Sequence, residues 1–149
     1  RVKEIGNYAP KDVVDVAEAF PENKFLLTHL LRLSLPSLER AGKLKNVIID
    51  TNGLSCHKRW FENGCNVFTA YDAGELADME STEVLKILVE KFGLENKLVF
   101  GSGYPYSLWW NYTISDEVQL INSCNISDTV KEKIFNMNMK RFLPGFNNE

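Results

Sequence analysis

The stretch Lys97-Leu98-Val99-Phe100-Gly101-Ser102-Gly103-Tyr104-Pro105 decides the fold. Leu98, Val99 and Phe100 are apolar in unbroken succession. Such a run reads as a short strand covered on both faces, the habit of parallel sheets. Two glycines and a proline then end it. The same signature occurs twice upstream. Asn46-Val47-Ile48-Ile49-Asp50-Thr51 is β-branched and apolar, and Asn52-Gly53 breaks it. Lys24-Phe25-Leu26-Leu27-Thr28-His29 follows a turn at Pro21-Glu22-Asn23.

Amphipathic helices separate these strands. Lys11 to Phe20 places Val13, Val14, Val16, Ala17 and Phe20 at helical spacing, with Pro10 in the first turn. Pro36 to Ala41 forms a short helix closed by Gly42. Thr82 to Phe92 carries the stripe Val84, Leu85, Leu88, Val89 and Phe92, with Ser81 as N-cap and Gly93 just past its end. Two closing helices begin near Ser115 and near Ser127. Leu54 to Met79 is less regular: Lys58 to Phe61 reads as helical and Asn66 to Ala70 as a short extended piece. The order α-β-α-β-α-β-α-α predicts an α/β fold on a parallel sheet, with residues 1–149 as one domain or part of one.

Composition excludes several classes. The 149 residues are 44% hydrophobic and 25% charged, as in soluble globular domains. No apolar run reaches the roughly 20 residues that span a bilayer. The net charge of -3 carries no basic footprint for nucleic acid, so neither nucleic acid nor membrane is expected as a partner. Cys56, Cys65 and Cys124 are odd in number and lack a CxxC pair, which predicts reduced thiols in the cytoplasm.

Four segments together resemble the C-terminal half of the amidohydrolase-related family, which includes the carboxymuconate-semialdehyde decarboxylases. Phe20-Pro21 through His29 is similar to the stretch leading into barrel strand six. Asn46 through Gly53 is similar to strand seven, and Leu98 through Pro105 to strand eight, whose family pattern ends in Gly-Ser-Asp-Tyr-Pro. Ile126-Ser127-Asp128 through Leu143 is similar to the closing helix. The resemblance implies strands six to eight of a (β/α)₈ TIM barrel, which needs about 250 residues when complete. The chain begins at Arg1 rather than Met, and a fragment of a larger barrel domain is expected. The missing N-terminal half-barrel, or a second copy of the chain, is the expected partner, because open strand edges invite pairing.

Barrel sites lie at the C-terminal ends of strands. The resemblance makes His29 a metal ligand or an acid/base group. The other reading is a core histidine satisfied by a backbone carbonyl. The family usually follows this histidine with glycine; here Leu30 and Leu31 follow. Asp50 binds substrate or caps the turn at Asn52-Gly53. Ser102 and Tyr104 offer hydroxyls, and Trp109 and Trp110 wall a pocket or pack on the rim. His57, beside Cys56, reads as a loop residue.

The resemblance implies a divalent metal such as zinc, with most ligands outside this chain. Where the family keeps a metal-binding Asp, however, this chain has Gly103. Glycine supplies neither ligand nor base. If the site is a degraded metal site, a Gly103→Asp exchange is expected to raise metal affinity. Two functions follow: a hydrolase or nonoxidative decarboxylase acting on a small organic substrate, or a catalytically silent barrel serving as a ligand-binding or scaffold protein.

Overall fold

A computed structural model describes residues 9–58, 73–105, 107–108 and 111–146. Helix α1 (Pro10–Ala19) opens the fold, with Pro10 at its start. It leads to strand β1 (Phe25–Leu27), helix α2 (Leu35–Lys43) and strand β2 (Val47–Asp50). Helix α3 (Ser81–Glu90) and strand β3 (Leu98–Val99) follow. Helix α4 is Ile114–Ser123. The last helical run comprises α5 (Asp128–Glu132), a π-helical turn (Lys133–Met137) and α6 (Asn138–Phe142).

The three strands form one parallel sheet in the order β1-β2-β3. Phe25 pairs with Val47 and Leu27 with Ile49; Ile49 then pairs with Leu98 and Asp50 with Val99. Every residue of β2 is buried, as its unbroken apolar run predicts for a central parallel strand. Strand β1 departs from that expectation: Leu26 is 48% exposed, on a strand with only one described neighbour. The core joins Val14 and Ala17 of α1, Leu38 and Ala41 of α2, Leu85 and Leu88 of α3, and Ile121 of α4 to the sheet.

The last helical run bonds to the outer side of β3. The Phe100 amide donates to the Ile134 carbonyl at 2.8 Å. Asn138 Nδ2 donates to the carbonyls of Leu98 at 2.7 Å and Glu95 at 2.9 Å. The Leu98 carbonyl and the Phe100 amide on the outer side of β3 are thus both engaged.

Several element ends move for identifiable reasons. The first strand stops at Leu27 because His29 turns its amide toward Asp50. Gly42 lies inside α2 rather than after it; a Cβ there would meet Leu94 Cδ2 at 2.8 Å. Ser81 is the first residue of α3, not its cap, and its hydroxyl meets His57 Nδ1 at 3.0 Å. The cap of α4 is Thr113 rather than Ser115, through a reciprocal pairing with Asp116. Ser127 does cap α5, accepting from the Val130 amide.

Cys56 and Cys124 are buried thiols, whereas Cys65 lies outside the described residues. So do Arg59 to Phe61 of the expected helical piece and the expected strand Asn66 to Ala70. Among the described residues, no helix is long and apolar enough to cross a membrane.

Candidate active site at the strand ends

The C-terminal ends of β1, β2 and β3 converge on Asp50. Its Oδ1 accepts the His29 amide at 2.7 Å and the Asn52 amide at 3.1 Å. One carboxylate oxygen thus ties the loop after β1 to the turn after β2. The turn-capping reading of Asp50 holds, and the same atom also positions His29. The imidazole forms a hydrogen bond to the Asn52 backbone as well.

Burial pushes the His29 imidazole below its ordinary range, against the opposing charge of Asp50. Burial likewise raises the Asp50 carboxyl, while the His29 amide opposes the rise. His29 is thereby neutral near pH 7, the form that takes up a proton. His29 lines a cavity of about 130 Å³, shared with Pro10, Val13, Leu27, Thr28 and Arg32.

The backbone around His29 is unusual. His29, Leu30, Leu31, Arg32 and Leu33 all have φ between 49° and 57°. Left-handed backbone costs roughly 1–2 kcal/mol per non-glycine residue. Leu30, Leu31 and Leu33 are buried, and burying each such side chain returns about 1.5–3 kcal/mol. Leu30 stands where the resemblance implies glycine, the residue that adopts this conformation without strain.

Position 103 gives the clearest correction. Gly103 has φ 63°, and a Cβ there would lie 2.2 Å from Asn52 Oδ1 and 2.6 Å from the Tyr112 hydroxyl. The space is already filled. Tyr112 donates to Asn52 Oδ1 at 3.0 Å and is only 3% exposed. An Asp at this position collides with that pair, so the expected gain of metal affinity from Gly103→Asp does not follow. Gly101 serves the same packing: its Cβ would meet Asp50 Cβ at 3.0 Å and Asn52 Cβ at 3.1 Å.

The remaining candidates are dispersed. Ser102 Oγ accepts the Tyr104 amide at 3.4 Å, and Tyr104 is 62% exposed. Trp109 and Trp110 lie outside the described residues. His57 is no surface loop residue. It is buried, with Nδ1 near the Leu54 carbonyl and Ser81 Oγ, and Nε2 near the Met79 carbonyl. Its role is to pin the turn after β2 to the start of α3.

Sequence reasoning passed over Asn52, Tyr112 and Glu117. Glu117 is 0% exposed on α4. Its Oε1 accepts from the Gly53 amide at 3.0 Å and from Ser55 Oγ at 2.9 Å. It therefore holds the turn that carries Asn52. The signal was a carboxylate inside the stripe Glu117, Leu120, Ile121 and Cys124.

A catalytic zinc-type site takes three protein ligands and leaves one position open. Among the described residues, no three His, Cys, Asp or Glu side chains gather. His29 and Asp50 are the two donors at the strand ends, and position 103 adds none. The described residues do not by themselves fit the implied metal.

Comparison with family models matches the chain to one described as amidohydrolase, over residues 9–145. Comparison with curated proteins and with solved structures finds no match.

Proposed function

This chain belongs to the amidohydrolase family, and from that premise we propose that it forms strands six to eight of a (β/α)₈ barrel acting on a small organic substrate by hydrolysis or nonoxidative decarboxylation. The observation that carries the reading is the hydrogen bond between His29 and Asp50 at the C-terminal ends of adjacent parallel strands. Barrels place their sites at that end. A parallel sheet ordered β1-β2-β3, with helices between the strands, supports the barrel.

In this reading His29 moves the proton. Asp50 fixes the direction of His29 and lies next to the substrate. Ser102 and Tyr104 supply contacts from the loop after β3. The family resemblance implies a divalent metal. With two donors at these strand ends, any metal would draw its other ligands from elsewhere, and no step is assigned to it. Preceding barrel strands or a second copy would pair with the β1 edge at Leu26. The buried free thiols of Cys56 and Cys124 support a reducing, cytoplasmic setting.

The test is His29→Asn, assayed against a panel of small carboxylates and cyclic amides. Removing a general acid/base should lower kcat/KM by about 10²–10⁴. Turnover equal to the unaltered protein would refute the assignment. One observation favours the second reading, a ligand-binding barrel without catalysis: the Asn52–Tyr112 pair fills the place of the missing carboxylate. Saturable ligand binding with no turnover across the panel would decide for it.

A further inference from the structure

We propose that a cavity at the N-terminal ends of β2 and β3 binds a phosphate group, as the free ion or as a monoester. This is the end of β2 away from Asp50, so the site stands whether or not His29 is catalytic.

The cavity has a volume of about 240 Å³. A single water needs roughly 10–15 Å³ of such space, so a larger ion is admitted. Lys45, Lys97 and Arg141 line it beside Asn96, Asn138 and Phe142. Lys45 lies just ahead of β2, Lys97 directly precedes β3, and Arg141 comes from α6. Pairing of β2 with β3 brings the two strand starts together, and α6 closes over them through the bond from Asn138 to the Leu98 carbonyl.

Three cations and no described carboxylate line this space. Among the described residues none of the three forms an ion pair. Lys43, two positions before Lys45, does pair, with Glu39 at 2.9 Å. The carboxylate nearest in sequence to Lys97 is Glu95, which accepts from Asn96 Nδ2 at 2.9 Å.

The hydrogen bonds present fix the cations without neutralising them. Lys97 Nζ donates to the carbonyls of Leu44 and Val47. Arg141 Nη2 donates to the Asn96 carbonyl at 2.7 Å and to Asn138 Oδ1 at 3.2 Å, and Nη1 to Asn96 Oδ1 at 3.5 Å. An ammonium has three donors and a guanidinium five, so both keep N–H groups for a ligand. Burial first, then the Arg141 charge, pushes the Lys97 ammonium below its ordinary range. Each cation makes the other costlier, and an anion beside them relieves both.

The chemistry selects the ligand class. Clustered cations repel a metal ion. A phosphate dianion offers several acceptor oxygens to donors that converge from three side chains, and bonds between charged partners are the strong ones.

The experiment titrates the full chain in low-salt buffer with inorganic phosphate and, separately, with phenyl phosphate, read by backbone amide NMR. Phosphate should shift Lys97, Asn138 and Arg141 saturably. Arg141→Gln should weaken binding about tenfold. Lys45→Gln breaks no hydrogen bond in the described fold and should weaken it about threefold. Lys43→Gln removes the same charge outside the cavity and should change affinity by less than about twofold. Phenyl phosphate binding as tightly supports a phosphate carried on a larger molecule; its exclusion while phosphate binds supports the free ion. Equal losses in Lys43→Gln and Lys45→Gln would mean bulk charge rather than a site. That result, shifts confined to His29 and Asn52, or no saturable shift at millimolar phosphate overturns the proposal.

Discussion

Replacing Glu117 by Gln should remove a pH dependence of stability that this one buried carboxyl creates. Glu117 is fully buried, and Oε1 accepts from the Gly53 amide, the Ser55 amide and Ser55 Oγ. Oε2 has no partner among the described residues. Burial outweighs those donors and lifts the carboxyl from an ordinary 4.5 to about 7. Between these values the folded chain keeps a proton that the unfolded chain has lost. The stabilisation is complete below pH 4.5 and is lost as pH rises through about 7. At 1.36 kcal/mol per unit, the span amounts to about 3 kcal/mol. Gln has the same shape and still accepts the three donors, but it does not ionise. Urea unfolding at acidic and alkaline pH should show the unaltered protein losing about 3 kcal/mol relative to the Gln variant. The raised Asp50 and lowered His57 titrate in both proteins and cancel in the difference. A stability difference that stays constant across this pH range would refute the reasoning.

Gly103→Asp should lower stability by about 2–4 kcal/mol, from left-handed strain and the broken Tyr112–Asn52 bond. Its urea midpoint should fall and zinc titration should show no new binding; a stable, zinc-binding variant would contradict the packing described at position 103. Asn138→Leu leaves the β3 carbonyl of Leu98 and the carbonyl of Glu95 in the preceding turn without this donor, at roughly 1–3 kcal/mol each, and hydrogen exchange at Phe100 should accelerate. Unchanged exchange would mean that the edge of β3 is held by other means. Thr113→Ala removes the cap of α4 at about 1 kcal/mol, measurable as a lower unfolding midpoint, whereas Ser115→Ala should be nearly neutral.

Much of the architecture was legible in order and type. The apolar runs at Val47–Asp50 and Leu98–Val99 became parallel strands, and the stripe from Val84 to Val89 became the buried face of α3. The family resemblance, read from four separated segments, agrees with a match over residues 9–145. Helix ends were less legible, because caps were chosen by local chemistry alone. Ser81 is an ordinary cap residue in sequence, but its hydroxyl bonds to His57, which arrives from a distant turn. The placement of His29 and Asp50 at strand ends was legible because strand ends are visible in a hydrophobic run. Asn52, Tyr112 and Glu117 were not, because their meaning depends on partners up to 64 positions away.

Gly103 shows the division most plainly. The sequence by itself determined that a carboxylate is absent where the resemblance implies one, because side-chain identity is a local fact. It also determined the parallel α/β class, because burial on both faces of a strand is written in unbroken apolarity. Only the tertiary structure decided what stands in the carboxylate's place. Tyr112 and Asn52 are 60 residues apart along the chain. They meet because β2 and β3 pair in register at Asp50 and Val99 and bring their following loops together. A hydrogen bond of that range depends on three-dimensional packing, which no local pattern encodes.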